Sequence, residues 1–163
     1  TTLHNLYPDK HILFTEGCQE GGVHLGSWLT GERYARNMIG DFNNYCEGYI
    51  DWNLTLDETG GPNHVGNLCD APIISDTKEG KIHYNSSYYY IGHFSKYIRP
   101  NAVRIHLTQT QTDIQTTAFK NVDGTVALVV LNETDKKIQT SCSYNDKVYP
   151  IELDAHSIIT VLL

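Results

Sequence analysis

The stretch His11-Ile12-Leu13-Phe14-Thr15-Glu16-Gly17-Cys18 decides how this chain is read. A short apolar, β-prone run leads to a carboxylate, and Gly17, Gly21 and Gly22 then open a loop toward a helical pattern. A strand that ends in a carboxylate and passes through a glycine-rich loop into a helix is how a barrel strand presents a catalytic group at its carboxyl end. Glu16 is the first candidate for chemistry on that ground.

Upstream, Thr1 to Lys10 reads as the tail of an element, with Tyr7-Pro8-Asp9 turning into the strand His11 to Thr15, so the chain is expected to start within a fold. Downstream, the loop Gly17 to Leu29 carries Trp28, and Thr30 suits an N-cap. The spacing predicts a helix from Gly31 to Tyr45, with Tyr34, Met38 and Phe42 in one row beside Ala35, Ile39 and Cys46. Gly48 breaks it, and Tyr49 to Leu54 reads as a second strand. Strand, loop, helix and strand make a βα unit feeding a parallel neighbour.

A long punctuated loop follows, from Asp57-Glu58-Thr59-Gly60-Gly61-Pro62-Asn63-His64 to Asn67, Cys69, Asp70 and Pro72. Loops of this length in compact domains tend to be functional or disordered. Ile73-Ile74 is extended, Asp76 to Gly80 is a charged turn, and Asn85 can cap a helix from Ser86 to Tyr97 that Pro100 terminates. Beyond it the pattern changes to strands: Val103 to Thr108, Ile114 to Lys120, Thr125 to Asn132, Lys136 to Tyr144, Lys147 to Leu153 and Ser157 to Leu163. Hairpin-type turns join them, and the alternation points to an antiparallel β-sandwich. The expected division is an α/β part over residues 1–100 and an all-β part over 101–163.

At 163 residues the chain is long enough for an ordinary core. It is too short for a whole TIM barrel of roughly 250 residues. A net charge of −7, spread along the chain, argues against nucleic acid or anionic membrane as partner. Four cysteines, Cys18, Cys46, Cys69 and Cys142, show neither metal-ligand spacing nor disulfide-scaffold density and read as free thiols. No apolar run reaches the ~18 residues that would span a bilayer, and no signal peptide opens the chain, which leaves secreted and cytoplasmic locations both open.

Glu16, Asp51 and Trp52 would meet at one end of two neighbouring parallel strands. A carboxylate, an indole and nearby amides suit a sugar, whose C–H face lies on the ring. The plainer reading of Asp51 and Asn53 is that they bond loop backbone. The eight histidines form no ligand spacing, and neither a phosphate-binding glycine loop nor a serine elbow is present, so no metal or cofactor is expected. Cys18 has no base placeable beside it and reads as a pocket-lining residue. Asn53, Asn85 and Asn132 begin glycosylation sequons, the first inside an expected strand. Tyr88, Tyr89 and Tyr90 read as core and rim.

Phe14-Thr15-Glu16-Gly17-Cys18, Leu25-Gly26-Ser27-Trp28, Asp51-Trp52-Asn53-Leu54, Gly60-Gly61-Pro62-Asn63, Asp70-Ala71-Pro72-Ile73-Ile74 and Gly92-His93-Phe94-Ser95-Lys96-Tyr97-Ile98 together resemble the carboxyl-terminal part of glycoside hydrolase family 30, which contains the glucosylceramidases. The resemblance implies the last two βα units of a (β/α)₈ TIM barrel followed by an antiparallel β-sandwich, with His11 to Thr15 as strand seven and Tyr49 to Leu54 as strand eight. It implies Glu16 as nucleophile of a retaining β-glycosidase, Trp52 and Asn67 lining the glycone subsite, and Cys18 in the pocket wall. His64 stands where such sequences often carry an aromatic. The family's acid/base glutamate follows an asparagine at the end of strand four, and nothing here corresponds to it.

The reading is a fragment of a retaining β-glycosidase acting on a carbohydrate or glycolipid, with the upstream part of the same barrel as its expected partner. The alternatives are a carbohydrate-binding or structural β-sandwich without catalysis, against which the region from Val103 contains no Trp, and a chain that completes a split barrel with another.

Overall fold

The computed structural model describes residues 1–163, which divide into two compact units, Thr1–Ile91 and Gly92–Leu163. The first unit runs α1 (Thr2–Leu6), β1 (Ile12–Gly17), β2 (Gln19–Glu20), α2 (Trp28–Asn43), β3 (Cys46–Asp51), β4 (Thr55–Asp57), β5 (Cys69–Asp70), β6 (Ile73–Asp76) and β7 (Lys81–Tyr84). The helix α3 (Ser86–Ser95) follows. The second unit holds β8 (Val103–Arg104), β9 (Gln115–Lys120), β10 (Val126–Asn132), β11 (Ile138–Tyr144), β12 (Lys147–Leu153) and β13 (Ser157–Leu162).

The expected parallel pair is present: β1 lies beside β3, joined through α2. The helix buries Tyr34, Ala35, Met38 and Ile39, the stripe its periodicity predicts. Its limits differ from the expectation. It begins at Trp28, with Ser27 at the N-cap position making no side-chain cap bond, and the Thr30 hydroxyl bonds the Ser27 carbonyl (3.2 Å) and the Ser86 hydroxyl (2.9 Å). Thr30 is therefore a joint within the first turn rather than a cap. The helix ends at Asn43, and Tyr45 takes a left-handed φ of 72° that stops it. That frees Cys46 to Gly48 to pair with Ile12 and Leu13, so β3 starts and ends three residues earlier than the pattern suggested. Gly48 is part of the strand, and a Cβ there would meet the Leu13 side chain at 2.9 Å.

The long loop is folded rather than open. β4, β6 and β7 form one sheet, and β2 pairs with β5. Leu56, Cys69, Ala71 and Ile74 make a small core beneath them, with Cys18 and Val23 against it. β7 has no counterpart in the sequence reading: it is a short, charged edge strand whose Lys81 and His83 break any apolar signal. Asn85 precedes α3, but its amide is committed to Asp70 (2.6 Å) and the Ala71 carbonyl (2.8 Å), not to a cap.

In the second unit the antiparallel order is β13-β10-β9-β8, with β11–β12 as a separate hairpin. Ala118, Leu128 and Val130 of the sheet meet Ile138, Ile151 and Leu153 of the hairpin in one core. This is the β-sandwich. All seven residues of β10 are buried, as befits a central strand apolar on both faces. β8 is much shorter than Val103 to Thr108, since pairing with β9 covers only Val103 and Arg104.

Candidate active site

The end of β1 is irregular around Glu16. Leu13 stands opposite Gly48 and Phe14 opposite Tyr49, but Gly17 stands opposite Asp51, so Thr15 and Glu16 together face Ile50. Such a bulge shifts the alternation of side chains by one and is common beside active sites. Phe14 stacks on Tyr49 with centroids 4.4 Å apart, and Asp51 accepts the Tyr34 hydroxyl at 2.8 Å, which puts these side chains against α2. Gly17 shares that side: a Cβ there would come within 2.9 Å of the Tyr49 hydroxyl and 3.0 Å of Asp51. Glu16 and Trp52, the neighbours of Gly17 and Asp51, are both exposed, Trp52 by 53%. The Trp52 N–H donates to the Gly17 carbonyl at 2.7 Å and fixes the two strand ends side by side.

Asp51 is committed to Tyr34 of α2, and the cavity that Glu16 lines includes neither Asp51 nor Trp52, contrary to the expectation that the three line one cleft. Its carboxyl is raised above 3.8 by burial, with the Tyr34 hydrogen bond opposing the shift. Burial and the Asp51 charge push the Tyr49 phenol up to about 12. These are the marks of a buried polar joint between strand and helix. A cavity of about 330 Å³ is lined by Glu16 itself together with Phe14, Cys18, Glu20, Tyr34 and Tyr49. Neither Trp52 nor Asn67 lines it.

Asn67 reaches the neighbourhood through the loops. The N–H groups of Gly21 and Gly22 both donate to the Leu68 carbonyl, at 3.0 and 2.8 Å, and Cys69 N–H donates to Gly60 O at 2.9 Å. Gly60 holds φ 86°, and any Cβ on it would collide with the Cys69 carbonyl at 2.5 Å. The Asn67 amide donates to Glu20 at 3.1 Å, and the Cys18 and Cys69 sulfurs are 3.0 Å apart. The segment after Glu16 is thus stitched to the segment carrying Asn67. Glu20 and Cys69 were not singled out as site residues, since no local motif links positions 51 apart, the separation of Cys18 and Cys69.

Glu58 is occupied elsewhere: it accepts the Thr77 N–H and hydroxyl, both at 3.0 Å, and lies 3.4 Å from the Lys78 ammonium. Two sequon asparagines are excluded as glycan acceptors, because Asn85 and Asn132 are buried and hydrogen-bonded through their amides. Tyr90 is core, whereas Tyr88 and Tyr89 are exposed. No three His, Cys, Asp or Glu side chains are grouped to hold a metal ion. No helix is long and apolar enough to cross a membrane.

A parallel strand pair bridged by a helix, ending in an exposed carboxylate and indole and followed by a β-sandwich, describes the last part of a barrel glycosidase with its sandwich domain. The chain belongs to glycosyl hydrolase family 30: residues 1–98 match that family's TIM-barrel domain and residues 101–161 its beta sandwich domain. It is 35% identical over 149 residues to the lysosomal acid glucosylceramidase of Mus musculus, covering 88% of this chain and 29% of that protein. Among solved structures it is similar to SrfJ from Salmonella typhimurium, with a TM-score of 0.93 and 37% identity over 99% of this chain and 37% of that one. The endo-beta1,6-glucanase BT3312 superimposes with a TM-score of 0.80 and 33% identity, over 98% of this chain and 36% of that one. The chain spans about a third of the length of the curated relatives it matches.

Proposed function

We propose that this chain supplies the nucleophile and part of the glycone wall of a retaining β-glycosidase, with Glu16 as the attacking carboxylate. The observation that supports this reading is the bulged end of β1, where Glu16 is exposed, lines the cavity and neighbours the strand end bearing Trp52. Glu16 attacks the anomeric carbon while a second carboxyl group protonates the leaving oxygen. Water, activated by that second group, then hydrolyses the glycosyl ester and frees Glu16. A retaining pair stands roughly 5–5.5 Å apart. The family resemblance implies an acid/base glutamate on barrel strands outside this chain, and within it Asp51 is engaged by Tyr34 and Glu58 by Thr77.

Trp52 offers an indole face to the sugar ring, Asn67 an amide to its hydroxyls, and Cys18 a half-buried wall. Residues 1–100 act as the barrel portion and residues 101–163 as its supporting sandwich. The substrate class is a β-linked glucosyl unit on a lipid or a glucan, in line with the glucosylceramidase and β-1,6-glucanase among the similar proteins. The test is aryl β-glucoside hydrolysis by this chain alone and by the chain joined to a complete family barrel, each with Glu16→Gln. The chain alone is expected to be inactive, and the joined protein to lose activity by a factor on the order of 10⁴–10⁶ in Glu16→Gln. Activity in the isolated chain, or a joined Glu16→Gln variant that keeps its rate, overturns the reading.

A further inference from the structure

We propose that Cys18 and Cys69 form a thiol–disulfide exchange site, at which a small-molecule disulfide such as oxidised glutathione converts the pair into an internal disulfide. The two sulfurs lie 3.0 Å apart with both thiols free. A disulfide needs about 2.05 Å, so the sulfurs close by about 1 Å. The backbone is already held for this: Glu20 pairs with Cys69 and Gln19 with Asp70, and Gly21 and Gly22 both bond the Leu68 carbonyl. The other thiols are engaged differently, Cys46 with the Gly48 carbonyl at 3.0 Å and Cys142 near the Ser143 carbonyl at 3.9 Å.

The chemistry runs in two exchanges. Cys69 is 2% exposed and Cys18 half-buried, so an incoming disulfide meets Cys18 first. The Cys18 thiolate attacks one sulfur of glutathione disulfide, whose S–S bond breaks and releases one glutathione thiolate. Cys69 then loses its proton and displaces the second glutathione from Cys18. Two protein thiols are oxidised, one glutathione disulfide is reduced, and the two protons end on the two glutathiones. Burial, then Cys69, Glu20 and Asp51 nearby, hold the Cys18 thiol well above its ordinary value, while Arg33 bonds the Cys18 carbonyl rather than the sulfur. The thiolate is therefore scarce at neutral pH. The reaction is slow there and accelerates about tenfold per pH unit.

The product ties the segment after Glu16 to the segment after Asn67, since each cysteine stands two residues beyond one of these side chains. The experiment exposes the folded chain to oxidised glutathione from pH 7 to about 9, quenches in acid, counts thiols after denaturation and maps the linked peptides. The expected result is loss of two of the four thiols, a Cys18–Cys69 peptide, and the tenfold rise in rate per pH unit. In Cys69→Ser the reaction stops at a glutathione adduct on Cys18. Retention of all four thiols, a lasting adduct in the wild-type chain, or links through Cys46 or Cys142 overturn the proposal. Should Cys69→Ser fail to fold, the wild-type peptide map decides alone.

Discussion

The two units solve the burial problem differently. In the second, β10 is buried along its whole length, with the hairpin β11–β12 completing the core on one face. In the first, β1 and β3 cover only the face that meets α2. On the other face Leu13, Ile50 and Trp52 remain more than half exposed. A parallel pair is stable when both faces and both edges are covered, as in a closed barrel. Glu16 is exposed at the end of the same strand pair, so the part of the chain that lacks packing is the part that the proposed chemistry uses.

Changes that break this contrast should rank by burial. Leu131→Ala in β10, at a fully buried position, is expected to destabilise the second unit by about 2–5 kcal/mol in denaturant unfolding. A cost below about 1 kcal/mol would mean that the sandwich core is not closed as described. Next comes Tyr34→Phe, which leaves the half-buried Asp51 carboxylate without its hydroxyl donor and should cost the first unit about 1–3 kcal/mol.

The pH dependence sharpens the same contrast within the first unit. Burial raises the Asp51 and Asp70 carboxyls above 3.8. The folded state holds these protons more tightly than the unfolded chain, so their contribution is full below 3.8 and is lost as pH rises through the raised values. Asp51→Asn, which still accepts from Tyr34, should remove part of this downward slope in unfolding measured across the acidic range. A steeper slope in that variant contradicts the assignment. The smallest effect belongs to Leu13→Ala, at an exposed site: within about 0.5 kcal/mol in this chain, and larger once the barrel face is covered.

How much of this was legible in the sequence depended on the range of the forces involved. β12 was read with its full limits, because Lys147 to Leu153 alternates and Asn145-Asp146 tolerate the left-handed turn they adopt, at φ 49° and 60°. The buried stripe of α2 was likewise local. The start of β3 was not, since Cys46 to Gly48 become strand only by pairing with β1. The bulge at Thr15–Glu16 depends on register with β3, and the Cys18–Cys69 approach depends on a loop folding back from far along the chain. Glu16 was visible as a strand-ending carboxylate and Trp52 as its indole neighbour. Asn67 was reached only through the family resemblance, because an asparagine in a long loop carries no pattern of its own.

The most direct test of the central claim is covalent trapping. The chain joined to a complete family barrel is exposed to a 2-deoxy-2-fluoro β-glucosyl fluoride, which forms the glycosyl ester readily and releases it slowly, and the labelled peptide is sequenced by mass spectrometry. One sugar on Glu16, absent in Glu16→Gln, is the predicted result; a label on any other carboxylate of the active protein would contradict the account.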